Sequence, residues 1–350
     1  MYDFEIKANL LNHSVGFTDM AVSKLNKDMV NSLINDENHH GNKWVFISTA
    51  NGIRIRMNYA LNSDFVIDFD ANLAYLTLKK DSKIILHNIK IEQPLVHAPE
   101  QLFLGLYEYC SVKCRFCPLA YSNEQKHYSL DSIYLDIENN INANIKSVGL
   151  TTSIPPNLSL EDLGDELCFV ISKIKRKLPN IPIGVSTKCP SQRTLKNLLN
   201  AGAEEIRLNM ELFDEQLASL IMPKKNIKEI QQSLIDSVEI FGYGKVSCNF
   251  IVGIGESDES VIQGIEWCCK RGIVPTLYPY DAIEFDTMSN KFSICNKFQS
   301  PEPARLINLA KEHYKLLKKY NMLSISLKTM CPACAASHIY PPTDMKGIKI

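Results

Sequence analysis

Three cysteines, Cys110, Cys114 and Cys117, lie within the run Tyr109-Cys110-Ser111-Val112-Lys113-Cys114-Arg115-Phe116-Cys117-Pro118, at spacing C-x3-C-x2-C. Three thiolates on so short a loop can converge on one metal centre. A structural zinc or a plain electron-transfer iron-sulfur site takes four protein ligands. With three at hand, a cubane bound here leaves one iron open to an outside ligand. A second pair stands in Met330-Cys331-Pro332-Ala333-Cys334-Ala335-Ala336-Ser337-His338. Two thiols separated by two residues can grip one ion or one edge of a cluster. His338 could be a third ligand, and a distant cysteine a fourth, Cys295 first and Cys189 or Cys248 behind it. An auxiliary iron-sulfur cluster, a zinc clip and a redox or unliganded pair all fit this motif. Cys168, Cys268 and Cys269 sit in helical patterns and read as packing.

Two further runs carry polar groups in ordered positions. In Glu205-Ile206-Arg207-Leu208-Asn209-Met210-Glu211, strand alternation puts Arg207, Asn209 and Glu211 on one face between apolar residues. They could serve a ligand, or Arg207 and Glu211 could pair with each other inside the core. In Phe250-Ile251-Val252-Gly253-Ile254-Gly255-Glu256-Ser257, glycine would allow a ligand close to the chain. A plain turn before a helix start explains the same residues. The run is not G-x-G-x-x-G, so a nucleotide-phosphate loop is a weak reading.

The elements that must hold these residues fall into two series. Residues 1–96 contain short β-branched and aromatic runs at 43–48, 52–59, 64–69, 74–78 and 83–86, separated by turn signals such as Asn51-Gly52, Asn62-Ser63 and Asp81-Ser82. This reads as a small β-rich domain for packing or partner docking, and it holds no cysteine. From 97 to 330 strands alternate with helices. Strands are expected at 101–107, 147–150, 181–185, 205–210, 246–252 and 275–278. Helices are expected at 129–145, 159–178, 191–200, 227–241, 259–271 and 303–320, with Ser129 as a cap and Gly202 as a stop. Six such units predict an α/β fold with a parallel sheet, a full or partial barrel or an open sheet, preceded by the β-rich domain. In a barrel, working residues sit at the carboxyl ends of the strands, which is where the first cysteine loop falls. Residues 331–350 form a tail carrying the second motif.

The chain has 350 residues, 45% hydrophobic and 22% charged, enough for a sizeable core and too apolar for disorder. Its 38 Lys and Arg balance 39 Asp and Glu, a net charge of -1, which gives no general pull toward nucleic acid or an anionic membrane. No apolar run approaches the ~18 residues of a membrane span, and the first ten residues lack a signal-peptide core. A cytoplasmic setting with reduced thiols is expected, and 11 cysteines, an odd number, suit a closed disulfide set poorly.

The first cysteine loop resembles that of the radical SAM enzymes, whose three cysteines hold a [4Fe-4S] cluster at this spacing. Phe116, before the third cysteine, also matches, and the resemblance covers about two thirds of the chain, residues 98–330. It implies a partial (βα)6 TIM-type barrel. It implies that Cys110, Cys114 and Cys117 bind the cluster, that S-adenosylmethionine (SAM) chelates the fourth iron, and that one electron cleaves the sulfonium to give a 5′-deoxyadenosyl radical. Arg207, Asn209 and Glu211 then contact the amino-acid and ribose parts of SAM, and Gly253 and Gly255 border its adenosyl part. Many members carry Gly-Gly-Glu after the second strand. Here that place reads Val148 to Pro155, where Thr151, Thr152 and Ser153 could stand in and Glu211 would meet the SAM amine. Leu102 to Leu119 looks like the biotin synthase branch, with its hydrogenase maturases and methylornithine synthase. The implied reaction is sulfur insertion at C–H bonds, as in biotin and lipoyl synthases, with Cys331 and Cys334 on a second iron-sulfur cluster. Alternatives are a radical rearrangement or fragmentation of a small amino-acid-derived molecule in cofactor biosynthesis or metallocofactor maturation, and a non-catalytic zinc-binding protein. The expected partners are a small-molecule or carrier-protein-bound substrate and an electron donor such as ferredoxin or flavodoxin, with no nucleic acid and no membrane. No side chain is assigned a catalytic proton-transfer role.

Overall fold

A computed structural model describes residues 2–25, 43–95, 98–120, 126–140, 144–282 and 298–348. Cys295, the first choice for a further ligand of the second motif, lies outside these residues.

The N-terminal part holds α1 (Asp3–Leu10), β1 (Ser14–Phe17), α2 (Asp19–Lys24), β2 (Trp44–Ser48), β3 (Arg54–Tyr59), β4 (Phe65–Asp70), β5 (Tyr75–Lys80) and β6 (Lys83–Glu92). The six strands close into a small barrel in the order β1-β3-β2-β6-β5-β4. β1 is parallel to both β3 and β4, and the other pairs are antiparallel. Asp81 and Ser82 both take positive φ, 49° and 62°, as a two-residue hairpin turn with the sheet's twist requires. Alternating residues Val45, Ile47, Ile55, Met57, Ile67 and Leu78 fill the interior.

The second part begins with β7 (Gln101–Gly105) and a 3-10 turn at Pro118–Ala120. It continues with α3 (Leu130–Asn140), β8 (Ser147–Thr151), α4 (Leu160–Lys177), β9 (Ile183–Ser186), α5 (Gln192–Ala201) and β10 (Glu205–Arg207). Then come α6 (Glu215–Ile221), α7 (Ile227–Phe241), β11 (Val246–Val252), α8 (Asp258–Cys269), β12 (Ile273–Pro279) and α9 (Pro303–Lys319). β7 to β12 pair in chain order and every pair is parallel, so the sheet is a partial (βα)6 barrel. Ser159, Ser191 and Ser257 cap α4, α5 and α8 by accepting the N–H three residues on, and Gly202 ends α5 at φ 112°. Leu163, Leu167, Val170, Ile171 and Ile174 show how the helices bury one face against the sheet.

The end of the chain returns into this partial barrel. It carries two short helices, α10 (Met330–Cys334) and α11 (Pro341–Asp344). The Glu205 carboxylate, at the start of β10, accepts the N–H groups of Lys328 and Thr329 and the Thr329 hydroxyl, at 2.9, 2.9 and 2.7 Å. Gln101, at the start of β7, donates to the Met330 carbonyl at 3.2 Å. Gly184 of β9 has room for no side chain, because a Cβ there would stand 2.0 Å from Thr329 Oγ1. The small barrel grips the same segment from outside. The Arg56 N–H donates to the Ala336 carbonyl at 2.9 Å, Lys7 Nζ donates to the Ala335 carbonyl, and Lys7 forms a fully buried ion pair with Asp344 at 2.7 Å. Residues 327–345 are therefore a strap between the two parts.

Two buried histidines set an acid limit on this fold. His313 in α9 and His338 in the strap are fully buried, and neither ring nitrogen of either has a hydrogen-bond partner among the described residues. Burial lowers the pKa of His313 to about 3, and lowers that of His338 well below its ordinary value, helped by the positive charge of Lys7. Between pH ~6.5 and about 3 the unfolded chain takes up the His313 proton and the folded chain does not. Stability is therefore expected to fall with pH in that window by about 1.4 kcal/mol per unit for each such group. Unfolding free energies of the wild type and His313→Leu at pH 7 and pH 5 check this. The variant should lose one group's share of the slope, and an unchanged slope contradicts the account.

Candidate functional site

The first cysteine loop leaves β7 at the carboxyl end of the sheet. Its backbone is tied on three sides. Ser111 N–H donates to the Ile154 carbonyl at 2.8 Å, Arg115 N–H to the Ile221 carbonyl at 3.0 Å, and Cys117 N–H to the Cys114 carbonyl at 3.1 Å. Lys224 Nζ adds a bond to the Ser111 carbonyl at 2.8 Å. Ser153 Oγ donates to the Tyr107 and Tyr109 carbonyls at 2.9 and 2.5 Å, and Thr152 Oγ1 to the Ser153 carbonyl at 2.8 Å. Two of the three hydroxyls expected to replace an acidic SAM contact thus brace the strand-to-loop connection. Thr151, Thr152 and Ser153 all line one cavity.

That cavity has a volume of about 440 Å3. Cys110, Cys114, Phe116 and Cys117 form one part of its wall, and Arg207, Asn209 and Glu211 another. Cys331 and Cys334 lie on it too, so the two cysteine motifs, 214 residues apart at Cys117 and Cys331, share one space. Burial pushes the Cys114 thiol up to about 11 and the Cys117 thiol up to about 12, so a metal that binds them must displace their protons.

The polar face of β10 is less regular than strict alternation. The strand stops at Arg207, and Glu211 takes a left-handed backbone, φ 66°, from which its N–H donates to the Asn249 carbonyl at 2.9 Å. Lys225 Nζ lies 3.5 Å from the Glu211 carboxylate and donates to the Asn209 carbonyl at 3.2 Å. Burial lowers the Lys225 pKa, but Glu211 and the nearby thiols Cys114 and Cys117 outweigh it, and the ammonium is favoured. Arg207 does not pair with Glu211. Its Nε donates to Ser186 Oγ at 3.2 Å and its Nη1 to Cys331 Sγ at 2.8 Å, while Asn249 Nδ2 lies 4.0 Å from the same sulfur. Among the described residues Arg207 has no carboxylate partner, although it is only 7% exposed.

Gly253 and Gly255 are not on the cavity wall. The N–H groups of Gly253 and Ile254 donate to the Glu256 carboxylate at 2.8 and 2.9 Å, and Arg305 binds that carboxylate at 2.8 Å. The glycines at φ 113° and 107° let the loop wrap this carboxylate. Cys189 does line the cavity, whereas Cys248 is buried in β11 with its sulfur near Met210 N, 3.4 Å away. His338 packs between the rings of Tyr278 and Tyr340, 6.2 and 6.0 Å from their centroids. No three His, Cys, Asp or Glu side chains among the described residues converge to hold a single metal ion. Sequence reasoning passed over Lys225, Asn249 and Arg56, all on the cavity wall. Asn249 had a usable signal, since Ser247 and Asn249 alternate with apolar residues in β11 as Arg207 does in β10. Lys225 and Arg56 reach the cavity from a helix-joining loop and from another domain, where no local period marks them.

A sequence profile described as the Radical SAM superfamily matches residues 105–268, a span that includes the three-cysteine loop. The chain carries a radical SAM domain. A radical SAM domain implies a [4Fe-4S] cluster and SAM, and this cavity suits both. Three thiols stand on one tethered loop, and the buried Asn209 Oδ1 is an acceptor with no partner among the described residues, able to receive a donor of a bound molecule. Among solved structures, methylornithine synthase matches at 16% identity over 61% of this chain and 62% of that one, with a TM-score of 0.48. A maturase of the [FeFe]-hydrogenase matches at 16% identity over 63% and 49%, TM-score 0.45. A radical SAM methyltransferase from Sphaerobacter thermophilus matches at 12% identity over 85% and 81%, TM-score 0.47. The chain spans less than two thirds of the length of the first two. Comparison with curated proteins yields no significant match. No helix among the described residues is long and apolar enough to cross a membrane.

Proposed function

We propose that the chain is a radical SAM enzyme that inserts sulfur at a C–H bond of a small or carrier-bound substrate, with Cys331 and Cys334 on a second iron-sulfur cluster. When bound at Cys110, Cys114 and Cys117, the first cluster supplies the electron that cleaves SAM and releases a 5′-deoxyadenosyl radical. Asn209 and the Glu211–Lys225 pair orient SAM, and the strap and the small barrel close the cavity so that water and stray C–H bonds stay outside. The observation that supports the reading is the common cavity, which Cys331 and Cys334 line together with Cys110, Cys114 and Cys117. Arg207 Nη1 donates to the Cys331 sulfur and Asn249 Nδ2 lies 4.0 Å from it, so a ligand sulfur there has two polar neighbours to orient it.

A second reading has a specific observation behind it. Cys334 packs with Trp44, Phe46 and Ala336, and Cys331 has protein partners, so both thiols could serve to lock the strap while the radical drives a rearrangement or fragmentation. Anaerobic reconstitution distinguishes the two. Sulfur insertion requires two clusters, about eight irons per chain if both are cubanes. Cys331→Ala should then lower the iron content by the second cluster's share and stop sulfur transfer, while 5′-deoxyadenosine still forms with dithionite. Four irons in the wild type would remove the sulfur donor and leave the second reading.

A further inference from the structure

Arg207 is a buried cation on the cavity wall, and no carboxylate among the described residues pairs with it. Its Nε is spent on Ser186 and one N–H of Nη1 on Cys331, while Nη2 forms no hydrogen bond with a described residue. The buried carboxylates Glu205, Glu211 and Asp281 have other partners. Glu205, two residues earlier on β10, accepts the Lys328 and Thr329 N–H groups and stands 3.8 Å from Lys245. Glu211 lies 3.5 Å from Lys225, and Asp281 accepts from Asn58 at 3.1 Å with Arg56 3.7 Å away. A guanidinium taken out of water without an anion is costly, so this wall suits a ligand that brings the anion with it. The neighbours of Arg207 fix where along the cavity that anion goes. Cys331, at 2.8 Å, belongs to the strap, and the wall beside the strap is aromatic. Phe46 of the small barrel packs with Cys334 and Ala336, and Tyr278 stacks on His338. Lys225, by contrast, feels the thiols of Cys114 and Cys117, so the Glu211–Lys225 pair belongs to the first cysteine loop's end of the cavity.

We propose that Arg207 binds the carboxylate of the substrate, which is a small free acid with an apolar body and not an acyl group held on a carrier. The inference rests on the proposed radical reaction and names the substrate class for it. A guanidinium edge matches a carboxylate in shape as well as in charge, because two parallel N–H groups meet two oxygens. A thioester or amide link to a carrier would consume the carboxylate and leave Arg207 with a neutral carbonyl. With its acid end at Arg207, the substrate would lay its apolar body against Phe46 and Tyr278, which line the same cavity as Cys331. Binding of this kind makes and breaks no covalent bond.

Calorimetry with hexanoate and hexanamide tests this on the anaerobically reconstituted chain, in saturating SAM and without reductant. Hexanoate should bind about tenfold tighter or more, as expected of a charged hydrogen-bonded pair removed from water. Arg207→Gln should erase that ratio, with hexanamide affinity as the reference for an intact cavity. Arg207→Lys, which keeps the charge and loses the fork, should keep part of it. Equal affinities of the two probes in the wild type, or a ratio that survives Arg207→Gln, overturn the proposal. So does a hexanoate preference seen only without SAM or only before reconstitution, since Arg207 then serves the SAM carboxylate or the second cluster. A chain that prefers hexanoate through Arg207, yet makes no 5′-deoxyadenosine with dithionite, would refute the radical SAM reading and leave the carboxylate site standing.

Discussion

Cys114→Ala is expected to give a folded chain that lacks the first cluster's share of iron and releases no 5′-deoxyadenosine from SAM and dithionite. The loop that carries Cys114 is held by backbone bonds to Ile154 and Ile221 and by Lys224, none of which uses the sulfur. Removing one small, 7% exposed side chain should therefore leave the fold intact. The cluster does not survive in the same way. With a third thiolate gone, a cubane would expose two irons, and the unique open corner that selects SAM is lost. The rate should drop at least ~1000-fold, about 4 kcal/mol of barrier, because SAM loses the open iron to which it binds. Iron and sulfide analysis, circular dichroism and product chromatography check the three parts of the claim. Cys168→Ala, on the outer helix α4, is the matched control and should keep its iron. Iron retained by Cys114→Ala, with product formed, would show that this loop is not the reducing centre. The raised thiols add a pH signature to loading: at neutral pH the free thiols are protonated, and iron uptake should improve as pH rises toward the Cys114 value of about 11.

What could be read in the sequence, and what could not, follows from the range of each signal. The strand–helix alternation from Gln101 to Lys319 was legible because each element writes its own period into consecutive residues, with caps at Ser159, Ser191 and Ser257 marking starts. The cysteine loop was legible because its ligands are neighbours in sequence. Arg207 was picked out by alternation, and the structure does put it on the cavity wall. Its partner was not legible: the alternation offered Glu211, four residues on, and the guanidinium instead meets Cys331, 124 residues on. Glu211 does lie on the same cavity wall, but it reaches it through a left-handed residue after the strand has ended, and its ion-pair partner is Lys225. At Gly253 and Gly255 the glycines were correctly marked as special, but their freedom is spent on enclosing Glu256. The strap was read as a tail because 328–345 has no period of its own. Its order comes from Glu205, Gln101, Arg56 and Lys7, which lie 123 to 337 residues away from the groups they bind.

Lys7→Met carries the second large effect. Lys7 Nζ and the Asp344 carboxylate are 2.7 Å apart with side chains 0% and 2% exposed, and Asp344 also accepts the Tyr340 N–H at 2.8 Å. Burial pushes Lys7 down and Asp344 up, so each charge is tolerated only through the other. Removing the ammonium leaves a buried carboxylate without a counter-charge and the Ala335 carbonyl without its donor, at a cost of about 3–5 kcal/mol. The strap feels the loss first, because Lys7 bonds it at Ala335 and Asp344, on either side of His338. Denaturant unfolding should register the lost stability, and maleimide labelling should register faster exposure of Cys331 and Cys334. The double variant Lys7→Met with Asp344→Leu separates charge from packing. An apolar pair of similar volume needs no counter-charge, so it should recover most of the single variant's loss, to within about 1–2 kcal/mol of wild type. If the single variant unfolds at the wild-type midpoint and its C-terminal thiols stay protected, the N-terminal barrel does not hold the strap through this ion pair. If the double variant is stable and still delivers Cys331 to the cavity, packing at these two positions is enough to set the register of the strap, and the charge pair is not required for it.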